Sequence, residues 1–147
     1  MSASNVEAMW LQKEICLQPK PRGFHLVTDE LLRELPELRS FRVGMMNVFI
    51  RHTSASLTLN ENADPTVRQD FEGWFNRAVR EGELYYRHQD EGADDLPAHL
   101  KASLLGASLN IPIRDGHPAL GAWQGIWLCE HRDHGGSRRV VVTAQGE

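Results

Sequence analysis

The run VGMMNVFIRHTSASLTLNENADPTVRQDFEGWFNRAV, residues 43–79, constrains this chain more than any other stretch. Residues 43–51 are apolar at nearly every position and read as a central strand, and residues 56–59 read as a second. Asp64 then stands where a helix N-cap belongs, with Pro65 at the first helical position. Val67, Phe71, Trp74, Phe75, Ala78 and Val79 recur at spacings of three, four and seven. Arg68, Glu72 and Arg80 fall elsewhere, so the segment is an amphipathic helix, and Gly82 closes it. Strand, strand and helix in direct succession point to an α+β domain.

The rest of the chain agrees. Leu11, Ile15 and Leu17 alternate with Gln12, Glu14 and Cys16, which predicts a half-buried strand over 10–17. Gly23 breaks the chain, and Thr28 can cap a short helix through Leu35, with Asp29 and Glu30 in its first turn and Pro36 at its end. Asp95 is placed to cap a further helix beginning near Pro97 and ending at Gly106. Strands are expected over 108–113, 122–130 and 138–143, joined as antiparallel hairpins by RDGHP and HRDHGGS. Six or seven strands with two or three helices give an α+β protein on a mixed, mostly antiparallel sheet.

A chain of 147 residues suits one compact domain. Residues 1–9, MSASNVEAM, lack the basic and apolar regions of a signal peptide. They read as a disordered leader, with Met9 as a possible second start and the domain over 10–147. No apolar run approaches the roughly 18 residues of a membrane span. The formal charge is −4, and the 16 Lys and Arg are scattered, Arg138-Arg139 being their tightest pairing. That distribution offers no basic stripe for a phosphate backbone, which argues against nucleic acid. Cys16 and Cys129 sit in strand-like runs and read as small buried hydrophobes in a reducing compartment. The expectation is a soluble, cytoplasmic protein.

Polar segments gather at the ends of the predicted elements, where a rigid scaffold would carry a site. His52, His88 and His99 are candidate metal ligands, because imidazole suits zinc and similar ions. Their spacing forms no local metal motif, and surface or hydrogen-bonded histidines are the plain alternative. Acidic groups including Asp95 could hold Mg²⁺ together with substrate phosphates. A helix N-terminus near Pro97 offers N–H groups to phosphate, with Lys101 and Ser103 on that helix. Thr53, Ser54 and Ser56 add hydroxyls, and Arg138 adds a guanidinium fork. Gln124 and Glu130 share an otherwise apolar strand face and need partners, in a pocket or at a subunit interface. Asn62 lies in the polar cluster that precedes the main helix. No serine or cysteine triad is legible.

Four segments together resemble the YjbQ family: HTSASLTLNENADPTVRQD, EGADDLPAHLKASLLGASLNIPI, LGAWQGIWLCEHR and GGSRRVVVT. The similarity runs from about Met9 to Glu147, with Ala122 a small departure where the family usually reads Thr. It implies a sheet folded on itself into a buckled β-sandwich or pseudo-barrel, assembled as a homotrimer. Some members are credited with a secondary thiamine-phosphate synthase activity, joining a pyrimidine methyl pyrophosphate to a thiazole phosphate with loss of pyrophosphate. On that resemblance the expected catalytic groups are His52, Asn62, Asp95 and Glu130. Thr53, Ser54, Ser56, Lys101, Ser103, Gln124 and Arg138 would bind substrate or phosphate. His52, His88 and His99 would hold a divalent ion, zinc or magnesium. The alternatives are a metal-dependent hydrolase of a small phosphate ester and a non-catalytic trimer binding a phosphorylated metabolite.

Overall fold

The computed structural model describes residues 7–147, so most of the expected leader lies outside the described residues, while Met9 opens the first strand. In chain order the elements are β1 (Met9–Cys16), β2 (Gly23–Leu26), α1 (Thr28–Arg33), a 3-10 turn (Pro36–Ser40), β3 (Val43–Ile50) and β4 (Ala55–Glu61). There follow α2 (Pro65–Ala78), α3 (Asp95–Leu105), β5 (Ser108–Arg114), β6 (His117–Pro118), β7 (Gln124–Glu130) and β8 (Arg139–Gly146). Five strands form one sheet in the order β1-β8-β3-β5-β6, and three form a second in the order β2-β7-β4. Every pairing among the described residues is antiparallel. The α+β class and the folded-over antiparallel sheet are as the sequence leads one to expect.

The two sheets face each other. Ile15, Met46, Val48, Ile50, Ile111, Val140 and Val142 from the larger sheet meet Leu57, Ile126 and Leu128 from the smaller one. Period-two alternation sends these residues inward. On the larger sheet it sends Val43, Met45 and Phe49 outward, where they are about half exposed. The other face of the smaller sheet carries Trp127 and Cys129, which pack with Phe24 and Phe75 beneath α2. Strand β7 is therefore buried on both faces: Ile126 and Leu128 point to one core, Trp127 and Cys129 to the other. Phe24, Phe71 and Trp127 meet edge to face, the favoured aromatic geometry.

Asp64 caps α2 as expected, accepting from the Thr66 N–H at 2.9 Å. Other local expectations change. Thr28 is the first residue of α1 rather than its cap, and its hydroxyl accepts from the Ile126 N–H at 2.9 Å, tying the helix to β7. Asp95 lies inside α3, which frees its carboxylate from capping. Trp74 points to solvent although it shares the apolar spacing of α2, and Cys16 is exposed.

The turn RDGH makes a hairpin, but between β5 and the two-residue β6. Asp115 and Gly116 both have positive φ, the I′ pattern that an Asp-Gly pair favours. Neither β5 nor β8 pairs with β7, which belongs to the other sheet. The short β2 at 23–26 was not expected; it is too brief to show alternation.

Candidate metal and ligand site

At its N-terminal end β4 emerges from the 51–54 connection, beside the first turns of α3 and the chain after β7. Asp95, in the first turn of α3, is the hub. Its Oδ2 lies 2.6 Å from His88 Nε2 and 3.1 Å from His99 Nε2. Its Oδ1 accepts from Arg132, which also reaches Asp94 at 2.9 Å and the Glu91 carbonyl at 2.8 Å. Asp95 and His99 are four residues apart on one helix, so they share a face. His88 and Glu91 come from the preceding loop, and their nitrogen and oxygen lie 3.2 Å apart.

One ligand atom from each of His88, Glu91, Asp95 and His99 lies within 4.8 Å of the others. Imidazole nitrogens with carboxylate oxygens suit zinc and the divalent transition ions better than magnesium, which prefers oxygen and water. The surroundings fit a ligand role. His99 Nδ1 lies 3.0 Å from the Thr53 carbonyl, which only accepts, so Nδ1 carries a proton toward it, and Nε2 faces the cluster. Such an outer hydrogen bond is how metal-binding histidines are oriented. The Asp95 hydrogen bond raises the His88 pKa, against a smaller opposing effect of desolvation, with Glu91 adding to the rise. Burial works against the Asp95 charge, but His88, Glu91, His99 and Arg132 together hold its pKa below the ordinary value. Burial likewise opposes Asp94, and the Asp133 N–H with Arg132 brings its pKa down.

His52 is not part of this cluster. Its Nε2 accepts from the Arg139 backbone N–H at 2.8 Å. Desolvation, then the charges of Arg138 and Arg139, lower its pKa, opposed in part by Glu130. His52 is thus a neutral imidazole with its proton on Nδ1. The expected trio of histidines is replaced by two histidines and two carboxylates, with Glu91 and the countercharge Arg132 both missed in sequence. An i, i+3, i+7, i+11 series from 88 carries the missing signal, but it spans a loop–helix boundary where helical spacing has no force.

Between His52 and His99 lies a cavity of about 400 Å³, walled by Ala55, Ala102, Gly106 and Ala107, with Thr53 and Ser103 on its rim. Other expected phosphate ligands are elsewhere. Ser56 is fully buried with its hydroxyl 2.8 Å from His131 Nε2. Lys101 is buried on the opposite side of α3, donating to Asn76 at 2.7 Å, and desolvation followed by the Arg22 charge lowers its pKa. Arg138 and Glu130 form a buried ion pair, with Nε to Oε2 at 2.6 Å, and Arg138 also reaches the Ser54 carbonyl at 3.3 Å. These four side chains are buried and do not line the cavity.

Asn62 and Gln124 are at the other end of β4. Glu61 pairs with Gln124 while Ala55 pairs with Glu130, and six steps of about 3.3 Å separate the two ends by roughly 20 Å. There Asn62 donates to the Ala122 and Gln124 carbonyls, and Gln124 accepts from the Gly121 N–H. The polar run HTSAS…NENADP therefore serves two ends of a strand, not one pocket.

The family model described as "UPF0047 protein YjbQ-like" matches residues 13–147. The UPF0047 protein YjbQ of Escherichia coli O157:H7 is 55% identical over 139 residues, covering 95% of this chain and all of that protein. The UPF0047 protein YjbQ of Salmonella typhimurium is 54% identical over the same length. A conserved hypothetical protein from Thermus thermophilus aligns with a TM-score of 0.76 at 32% identity, over 88% of this chain and 97% of that one. A YbjQ-like protein of unknown function from Sulfolobus solfataricus P2 has the same fold, with a TM-score of 0.82 at 21% identity over 96% and 100%. With sequence, motifs and fold in agreement over nearly its whole length, the chain belongs to the YjbQ (UPF0047) family.

Proposed function

We propose that this protein is a small-molecule enzyme that holds a divalent transition ion, zinc by preference, at His88, Asp95 and His99, with Glu91 as a further ligand. The observation that carries the reading is the convergence of these four side chains within 4.8 Å beside a ligand-sized cavity. Its substrate is a phosphorylated small molecule whose charged group meets the ion. The reaction is of the thiamine-phosphate synthase type, in which a pyrimidine methyl pyrophosphate and a thiazole phosphate are joined and pyrophosphate leaves. Such a reaction needs stabilisation of a departing anion and no protein nucleophile, which accords with a site lacking a triad. The ion, when bound, supplies that positive charge. Arg132 holds Asp95 in place, the Thr53 carbonyl holds His99, and Glu130 with Arg138 keeps the 51–54 connection rigid through Ser54.

Hydrolysis of a phosphate ester is the second reading, favoured by two histidines and a carboxylate, a donor set that suits water activation. We further infer a homotrimer, for which the outward Val43, Met45 and Phe49 supply an apolar face. The chain acts outside membranes, and no helix among the described residues is long and apolar enough to cross one.

The test is metal analysis of the purified protein beside His99→Ala, with oligomeric mass and turnover of both substrate types. About one ion per chain, lost in the variant while mass is unchanged, together with formation of thiamine phosphate, is the expected result. Release of inorganic phosphate from a monoester without coupling would favour hydrolysis. Absence of metal from both proteins after incubation with zinc would refute the reading.

A further inference from the structure

A second cavity, of about 680 Å³, lies between α1 with the 3-10 turn on one side and the tip of the β5–β6 hairpin on the other. Its volume is within the range of small-molecule sites. The hairpin tip is fixed against the chain that leads into β3. The Asp115 N–H donates to the Arg42 carbonyl at 2.8 Å, and the Gly116 N–H to the Phe41 carbonyl at 2.7 Å. The histidine cluster, joined to Thr53 through His99, lies past the other end of β3, a strand of eight residues and so roughly 25 Å long. The two places are therefore separate.

Arg33, Arg39 and His117 line this cavity, opposed by a single carboxylate, Asp29. The other acids nearby are engaged elsewhere: Glu30 by Lys20 and the Gln18 N–H, and Glu37 by Lys13. Arg33 Nε donates to the Asp29 carbonyl at 3.3 Å, but among the described residues neither guanidinium has a carboxylate within ion-pair distance. Both arginines are exposed, which leaves their forks free to turn into the cavity. In a chain of net charge −4, two unpaired guanidinium groups at one hollow run against the prevailing sign. Leu32, Pro36 and Pro118 give the same hollow an apolar wall, and no hydroxyl or lysine lines it.

We propose that this cavity binds a small organic monocarboxylate with an aliphatic body. Its carboxylate is taken by the forks of Arg33 and Arg39, which match a planar anion in pairs of hydrogen bonds, and its chain lies on Leu32, Pro36 and Pro118. Asp29 on the same wall disfavours a dianion, and a phosphate group would find no hydroxyl donors to supplement the arginines. The site goes beyond the reaction proposed above and needs no metal ion.

The test is NMR titration of the full-length protein with acetate, butyrate, hexanoate, octanoate, octylamine and octyl phosphate, with zinc present and again with chelator. Octanoate should shift the amide signals of Gly116 and His117, and Kd should fall about tenfold for each two methylenes added to the acid. Arg33→Gln and Arg39→Gln should each weaken octanoate about tenfold, and Asp29→Asn should tighten it about threefold. All three side chains are exposed, so these variants keep the fold. Equal binding of octylamine and octanoate, tighter binding of octyl phosphate, or affinities unmoved in both arginine variants would overturn the assignment. So would loss of octanoate binding on chelation, which would put the carboxylate on the ion instead. Each of these results leaves the proposed metal site standing.

Discussion

His131 should make this protein sensitive to mild acid, and the size of the effect follows from its surroundings. The imidazole is almost fully buried, with Nε2 at 2.8 Å from the Ser56 hydroxyl and Phe24 packed edge-on against the ring. Desolvation, then the charges of Lys101, Arg138 and Arg22, push its pKa down from 6.5 to about 3. The folded protein keeps this group neutral, while the unfolded chain takes up a proton below about pH 6.5. Stability from this residue is therefore complete above pH 6.5 and is lost as the pH falls toward 3. At pH 5 the loss from this one group is about 2 kcal/mol, taking about 1.36 kcal/mol per pH unit below the unfolded value. With a urea m-value of roughly 2 kcal/mol/M, the midpoint should fall by about 1 M. The assay is urea denaturation at about pH 7 and pH 5 with chelator and at fixed protein concentration, for the protein and for His131→Gln. The variant will be less stable at both pH values, but its decline with acid should be smaller by that amount. Parallel declines would show that the imidazole is not held neutral, and would refute the burial argument.

Four other outcomes are expected. Arg138→Met leaves the buried Glu130 carboxylate without its partner and should cost about 3–5 kcal/mol in denaturant unfolding, whereas the double change with Glu130→Gln should recover much of it. Gly44→Ala places a Cβ at 2.4 Å from the Gln145 carbonyl across the β3–β8 pair, so a loss of about 1–3 kcal/mol by the same assay is expected. Asp64→Ala should cost about 1 kcal/mol through the lost cap, measured as a lower thermal midpoint. In the native protein a thiol reagent should label Cys16, which is exposed, and leave Cys129 untouched, because burial pushes that thiol up to about 12. Mass spectrometry before and after unfolding distinguishes the two.

Local order was legible where the chain carries its own periodicity. The residues of α2 announce themselves through Asp64, Pro65 and a repeating apolar face, and β3 and β8 through apolar runs. Pairing was less accessible. RDGH does specify a tight turn, but nothing local says that its second strand ends after Pro118 and that the chain crosses to another sheet before β7. Function divided the same way. His88 and His99 could be singled out by residue type, yet their meeting depends on a loop returning to the first turn of α3. Asp95 looked like a helix cap because a capping carboxylate and a ligand carboxylate occupy the same place in sequence. Residue type marks Ser56 and Lys101 as phosphate ligands and Glu130 as a catalytic group, but it does not say where a polar side chain finds its partner. Here each is drawn inward by a partner far along the chain: His131, Asn76 and Arg138.

The double burial of β7 bears on how faithfully the chain must align. A slip of one residue in its pairing with β2 and β4 would exchange its two faces. The indole of Trp127 would be driven into the space shaped for Ile126 and Leu128, and those aliphatic side chains would be set against Phe24 and Phe75. Both hydrophobic layers would fail in one event, so misalignment of this strand has no half-right intermediate. A strand with one wet face can err and lose a single core; β7 is a ratchet tooth engaged on both sides, and it admits one register.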